Sequence, residues 1–169
     1  MDSHFIIEQL AKNHNVFKEL LMDINIEDYL WKERPDTWCL LEIVCHLYDE
    51  EREDFRQRTR LVLEDPRQEL PKIDPVGWVK ERQYTDQDYN KMCSLFLQER
   101  QQSVNWLKSL ESPQWDQAYI HPVRGEMSAA LFLSNWLAHD YLHIRQIIRI
   151  KYNFLKQLSS EPLDYAGNW

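Results

Sequence analysis

The chain-breaking residues are few and clustered, and their spacing limits what this sequence can fold into. Glycine occurs only at Gly77, Gly125 and Gly167, and proline only at Pro35, Pro66, Pro71, Pro75, Pro113, Pro122 and Pro162. Long stretches between the clusters are free of both, as helices require. So few glycines argue against sheets joined by many tight turns and against glycine-rich phosphate loops. No GxGxxG or Walker pattern occurs.

Four of these stretches repeat apolar residues at steps of three and four. Residues 3–24 place Ile7, Leu10, His14, Phe17, Leu21 and Ile24 in one seam. Residues 37–63, with Asp36 or Thr37 as cap, place Leu40, Ile43, Leu47 and Asp54 in a seam, with His46 and Glu50 on its edge. Residues 86–110 follow Thr85 and Asp88, spaced like a capping box, and carry Tyr89, Met92, Phe96, Ser103, Leu107 and Leu110 inward. Residues 128–158, with Ser128 as cap, align Ala129, Phe132, Trp136, His139, His143, Gln146 and Ile150.

The connections over 25–36 and 111–127 are short. That over 63–85 holds Pro66, Pro71, Pro75 and Gly77, and is long enough to cross the bundle and join parallel neighbours. Four amphipathic helices of this length predict an all-α four-helix bundle over residues 1–158. Residues 159–169 form a C-terminal extension, whose Trp169 is expected to dock.

A length of 169 residues suits one domain, on a prior of about 100–200 residues each. Lys and Arg number 20 against 28 Asp and Glu, a net charge of −8, so neither nucleic acid nor an anionic membrane is an expected partner. No apolar run approaches the ~18 residues of a membrane span. Met1-Asp2-Ser3 begins no secretory leader, and Cys39, Cys45 and Cys93 are odd in number without CxxC spacing, so a cytoplasmic protein with reduced thiols is expected.

The chemistry concentrates in the fourth segment, at His139-Asp140-Tyr141-Leu142-His143. Residues four apart share a helix face, so both imidazoles can reach one cation. His46 is the obvious third donor from another helix. A histidine on an apolar face is more often a packed, hydrogen-bonded core residue, which is the expectation for His14. Three neutral imidazoles in one core, however, need a partner for each ring nitrogen, and a metal supplies one. Three neutral ligands leave positions open for water or substrate, and suit zinc or nickel first, with copper, cobalt and iron compatible.

Glu50 and Gln146 lie one turn from these histidines and can hydrogen-bond a ligand ring or a metal-bound water. Asp140 can orient an imidazole or form a surface ion pair. His121, before Pro122, reads as a loop histidine, and Cys39 as a buried thiol. The run from Asp49 to Asp54 reads as a solvated face, and Trp31, Trp38, Trp78, Trp106, Trp115 and Trp136 as core or bundle-end filler.

The stretch HPVRGEMSAALFLSNWLAHDYLHIRQI resembles the last helix of the DinB-like superfamily, which includes the YfiT-type candidate metal-dependent hydrolases. RPDTWCLLEIVCHLYDEEREDF is similar to that family's second helix, where a Trp precedes a metal-binding His followed four residues later by an acid. Here these are Trp38, His46 and Glu50. FLQERQQSVNWLKSL resembles its third helix. The resemblance implies a bundle, often dimeric, with a metal on His46, His139 and His143. It also implies kinship with bacillithiol- or glutathione-using thiol S-transferases and a mycothiol-dependent maleylpyruvate isomerase. The expectation is a metal-dependent thiol S-transferase or hydrolase. It would act on a small electrophilic molecule, with a low-molecular-weight thiol or water as nucleophile, Glu50 as catalytic base and a homodimer as assembly. The alternative is a non-catalytic, metal-binding dimeric module for binding or stress response.

Overall fold

Each of the four breaker-free stretches is a long helix in the computed structural model, which describes residues 1–167; Trp169 lies outside the described residues. The elements are α1 (Ser3–Leu21), α2 (Ile26–Tyr29), α3 (Leu40–Asp49), a π-helical stretch (Glu50–Arg56), α4 (Gln57–Glu64), α5 (Pro75–Glu81), α6 (Tyr89–Ser109), β1 (Ala118–His121), β2 (Gly125–Ser128) and α7 (Ala129–Leu158). α3, the π stretch and α4 form one continuous second helix. The short connection before α7 folds into an antiparallel hairpin with Gly125 at a φ of 73°, the left-handed conformation that glycine tolerates. In the extension, Asp164–Ala166 forms a 3-10 turn.

Packing gives the topology. One core cluster joins Phe17 and Leu21 at the end of α1 with Leu40 to Leu47 of α3, Tyr89 to Phe96 at the start of α6, and Ile147 late in α7. A second joins Ile6 and Leu10 with Phe55, with Val104 and Leu107 late in α6, and with Leu133 to Leu137 early in α7. The second helix and α6 therefore run parallel, with α1 and α7 opposed to them. The connection over 65–88 accordingly travels back along the bundle, with Leu70 in the core at one end and Trp78 and Tyr84 at the other.

Caps and seams depart from expectation at identifiable places. The second helix starts at Cys39 rather than Asp36 or Thr37, because the Glu42 carboxylate turns back to accept from Cys39 N–H at 2.8 Å. Asp88 alone caps α6, accepting from Lys91 N–H at 2.7 Å, while Thr85 belongs to the preceding turn. Ser128 caps α7 as expected, accepting from Leu131 N–H at 3.0 Å. In α1 the inner seam is Ile6, Leu10, Asn13, Phe17 and Leu21, so His14 sits one position outside the core, its Nδ1 3.3 Å from Asn15 Oδ1.

The π stretch shifts the seam of the second helix. At 3.6 residues per turn, Leu47 predicts Asp54 inward. A wider i→i+5 turn instead buries Glu51, Phe55, Thr59 and Val62, in steps of four and three. The acidic run is therefore not a solvated face. Asp49, Glu50 and Glu51 are all buried.

Arg100 explains why Glu51 can be there. Its guanidinium is 1% exposed and spans two carboxylates. Nε and Nη2 donate to Glu51 at 2.9 and 2.8 Å, and Nη1 and Nη2 donate to Asp140 at 2.6 and 2.7 Å. Asn13 Nδ2 donates to Asp140 Oδ2 and Trp136 Nε1 to Glu51 Oε2, both at 2.9 Å. Asp140 is thus neither a surface ion-pair residue nor a ring-orienting one; its oxygens are taken by Arg100 and Asn13. Removing one member of a buried pair leaves an uncompensated charge, which costs about 3–5 kcal/mol. Arg100→Ala and Asp140→Ala are each expected to lose about that much stability in urea unfolding followed by circular dichroism.

Candidate metal centre

The three predicted histidines meet where the second helix faces α7. His139 Nε2 lies 3.2 Å from His46 Nε2 and 3.0 Å from His143 Nε2. One ligand atom from each falls within 4.8 Å of the others. Two nitrogens each ~2.0–2.1 Å from a tetrahedral zinc are about 3.4 Å apart, so the spacing found here fits a shared cation. Helical repeat explains half the site: His139 and His143 are one turn apart on α7. The parallel course of the second helix beside antiparallel α7 supplies the other half.

Burial keeps the donors in the form a metal needs. It lowers His46 to about 3, His139 to about 2 and His143 to about 4, with the neighbouring rings adding to the effect for His46 and His139. All three rings are neutral at pH 7, and neutral imidazole is the ligating species. Gln146 sets one tautomer. Its Oε1 lies 2.9 Å from His143 Nδ1, so the proton sits on Nδ1 and the lone pair on Nε2 points at the other rings. His46 is held by packing, its ring 5.0 Å from Trp38, and His46 Nδ1 has no hydrogen-bond partner among the described residues. Phe55 covers His139 at 4.9 Å between ring centres. Trp38 and Phe55 thus wall the centre rather than only filling space.

Glu50 is buried on the π turn one turn beyond His46, beside Asp54. Its Oε1 has no donor among the described residues. Burial, then the adjacent Asp54 carboxylate, pushes Glu50 up to about 8, and Arg58 pairs with Asp54 at 2.7 Å. Two carboxylates side by side in a low-dielectric site share one proton. The pair therefore favours holding one proton between its two carboxyl groups.

Two clefts each reach a residue that contacts one of the histidines, Phe55 in one and Gln146 in the other. One, of about 770 Å³, is lined by Phe55, Asp54, Arg58, Leu131, Phe132 and His121. His121 is also tied to its own turn, its Nδ1 accepting from Val123 and Arg124 N–H at 3.1 Å each. The other, of about 890 Å³, includes Gln146. The cysteines are elsewhere. Cys39, Cys45 and Cys93 are buried, and burial raises their thiols to about 11, 12 and 11. Sequence reasoning missed Arg100 and Asn13, although the inner stripe of α6 jumps from Phe96 to Ser103 and leaves Arg100 in the gap.

The sequence profile of the DinB superfamily matches residues 9–147. The chain belongs to the DinB superfamily. A protein of Oceanobacillus iheyensis named "Putative metal-dependent hydrolase OB0413" is 24% identical over 148 residues, covering 86% of this chain and 83% of its own. YfiT of Bacillus subtilis, described as a probable metal-dependent hydrolase with an unusual four-helix bundle topology, superimposes with a TM-score of 0.79 at 17% identity, covering 90% of this chain and 87% of its own. That likeness shows the fold. Among the described residues, no helix is long and apolar enough to cross a membrane.

The Gln146 contact yields a test of the centre. Loss of such an outer partner costs about 10–100-fold in metal affinity. Gln146→Leu is expected to weaken zinc binding by that factor, read by competition with a chromogenic chelator, while the helical circular dichroism is unchanged.

Proposed function

We propose that this protein is a metal-dependent hydrolase of a small electrophilic molecule, with a divalent transition metal, zinc or nickel, held by His46, His139 and His143. The observation that carries this reading is the convergence of three neutral Nε2 atoms in a walled, mostly buried site. The names given to its relatives agree with it. Such a cation supplies Lewis-acid polarisation of a substrate oxygen.

The chain's own groups do the rest. Gln146 fixes the His143 tautomer. Trp38 and Phe55 exclude water from the backs of the rings. The Glu50–Asp54 pair holds one proton near the centre, ready to pass to a leaving group, after which the freed carboxylate can take a proton from the nucleophile. Because all three cysteine thiols are buried and raised, a sulfur nucleophile would have to arrive as a second substrate. Thiol S-transfer therefore differs from hydrolysis by a requirement for added thiol.

The test is a screen of activated esters, amides and phosphoesters with zinc- or nickel-loaded protein, with and without a low-molecular-weight thiol. Turnover without thiol supports hydrolysis; turnover only with thiol overturns it in favour of transfer. His46→Ala, His139→Ala and His143→Ala are each expected to lose stoichiometric metal by elemental analysis and all metal-dependent turnover. Glu50→Gln is expected to keep the metal and lose about 10²–10⁴-fold in kcat, the range typical of proton transfer by a positioned group. Full metal content in any of the three alanine variants would remove that residue from the site.

A further inference from the structure

The cleft on the Gln146 side is rich in basic side chains. In a chain of net charge −8, it is lined by Arg145, Arg149 and Lys156 against a single acid, Glu33. These bases stand along α7, which continues from the metal centre. Arg149 and Glu33 meet only at 3.8 Å, and both are open to solvent. Arg145 and Lys156 form no ion pair among the described residues. Three bases against one acid leave the cleft with a net positive charge, which an entering anion would offset.

Gln146 makes the connection to the centre. The side chain that fixes the His143 ring also lines this cleft. At a helical rise of about 1.5 Å per residue, Arg149 is about 9 Å along α7 from His143. A cleft of about 890 Å³ is within the range of small-molecule sites.

We propose that this cleft is the recognition subsite for the substrate's anionic end: a carboxylate or phosphate held by Arg145 and Arg149, on the same helix as His139 and His143. Arg presents a planar fork that matches either oxyanion in two-point fashion, and Lys156 adds a point charge farther out. The substrate class is then an extended acidic molecule rather than a neutral one. This rests on the hydrolase reading only for the reaction at its other end, and the test reads binding rather than turnover.

Calorimetric titration of the full, zinc-loaded chain with glutarate, with inorganic phosphate and with dimethyl glutarate makes the distinction. At least one of the two anions is expected to bind at one per chain, more weakly as salt is raised, and dimethyl glutarate not at all. The tighter of the two names the headgroup. The exposed double variant Arg145→Gln/Arg149→Gln is expected to weaken binding at least tenfold, and Arg145→Lys/Arg149→Lys to recover part of it. His139→Ala, stripped of metal, is expected still to bind the anion. Three results would overturn the subsite: neither anion binds, the double Gln variant binds as the parent does, or His139→Ala loses the anion, which would place it on the metal. A failure of the hydrolase reading would leave all of these measurements standing.

Discussion

The buried guanidinium of Arg100 is the interaction on which the rest of this bundle turns. It holds Glu51 on the second helix and Asp140 on α7 at the same time, and through Asp140 it reaches Asn13 on α1. All four long helices are thereby tied at one level. Asp140 directly follows His139 in the chain. A rotation of α7 that moved His139 away from His46 would also pull Asp140 from Arg100 and leave a charge unpaired in the core. A buried ion pair contributes little net stability compared with apolar packing of the same volume, but it penalises wrong arrangements steeply. Its value here is in fixing the rotational setting of α7, and the metal ligands are carried with it.

The π stretch is the second half of that arrangement. A regular α-helix through residues 50–56 would present Asp54 to the core and turn Phe55 away. The wider turn brings Glu51 under Arg100, Phe55 over His139, and Glu50 beside Asp54 one turn beyond His46. Irregular helical turns of this kind often occur at functional sites. Here one irregularity places a salt-bridge partner, a wall and a proton-holding pair within two turns of His46.

Much of this was legible in the sequence, and the limits have physical causes. Four helices, the Ser128 cap and the His46, His139 and His143 set follow from breaker spacing, from the i, i+4 rule and from the resemblance of two segments to one family. His14 read as a packed core residue because a seam read at steps of three and four tolerates a shift of one residue. The choice between Asn13 and His14 is made by Asp140, 127 residues away from Asn13, which only the fold brings near. The burial of Asp49, Glu50 and Glu51 was hidden for two reasons. Acidic runs are ordinarily solvated, and a π turn leaves no mark in hydrophobic periodicity except a seam that lands on the wrong residue. The basic cleft was hidden because Arg145, Arg149 and Lys156 read singly as surface charges on an exposed face.

The long return connection over 65–88 has a consequence for how two copies of this chain can and cannot entangle. In a bundle built from hairpins, a short loop can open and let a helix pair exchange between molecules, a cheap route to domain-swapped assemblies. Here the second helix and α6 are parallel, and the segment joining them is pinned at both ends, by Leu70 against Val62 and Phe132 and by Trp78 and Tyr84 in the opposite cluster. Exchange of the two halves would first have to strip two large aromatic rings out of the core. The crossing strand thus works as a latch: it makes the monomer's threading self-protecting, and it leaves association through intact outer faces as the route by which copies can pair.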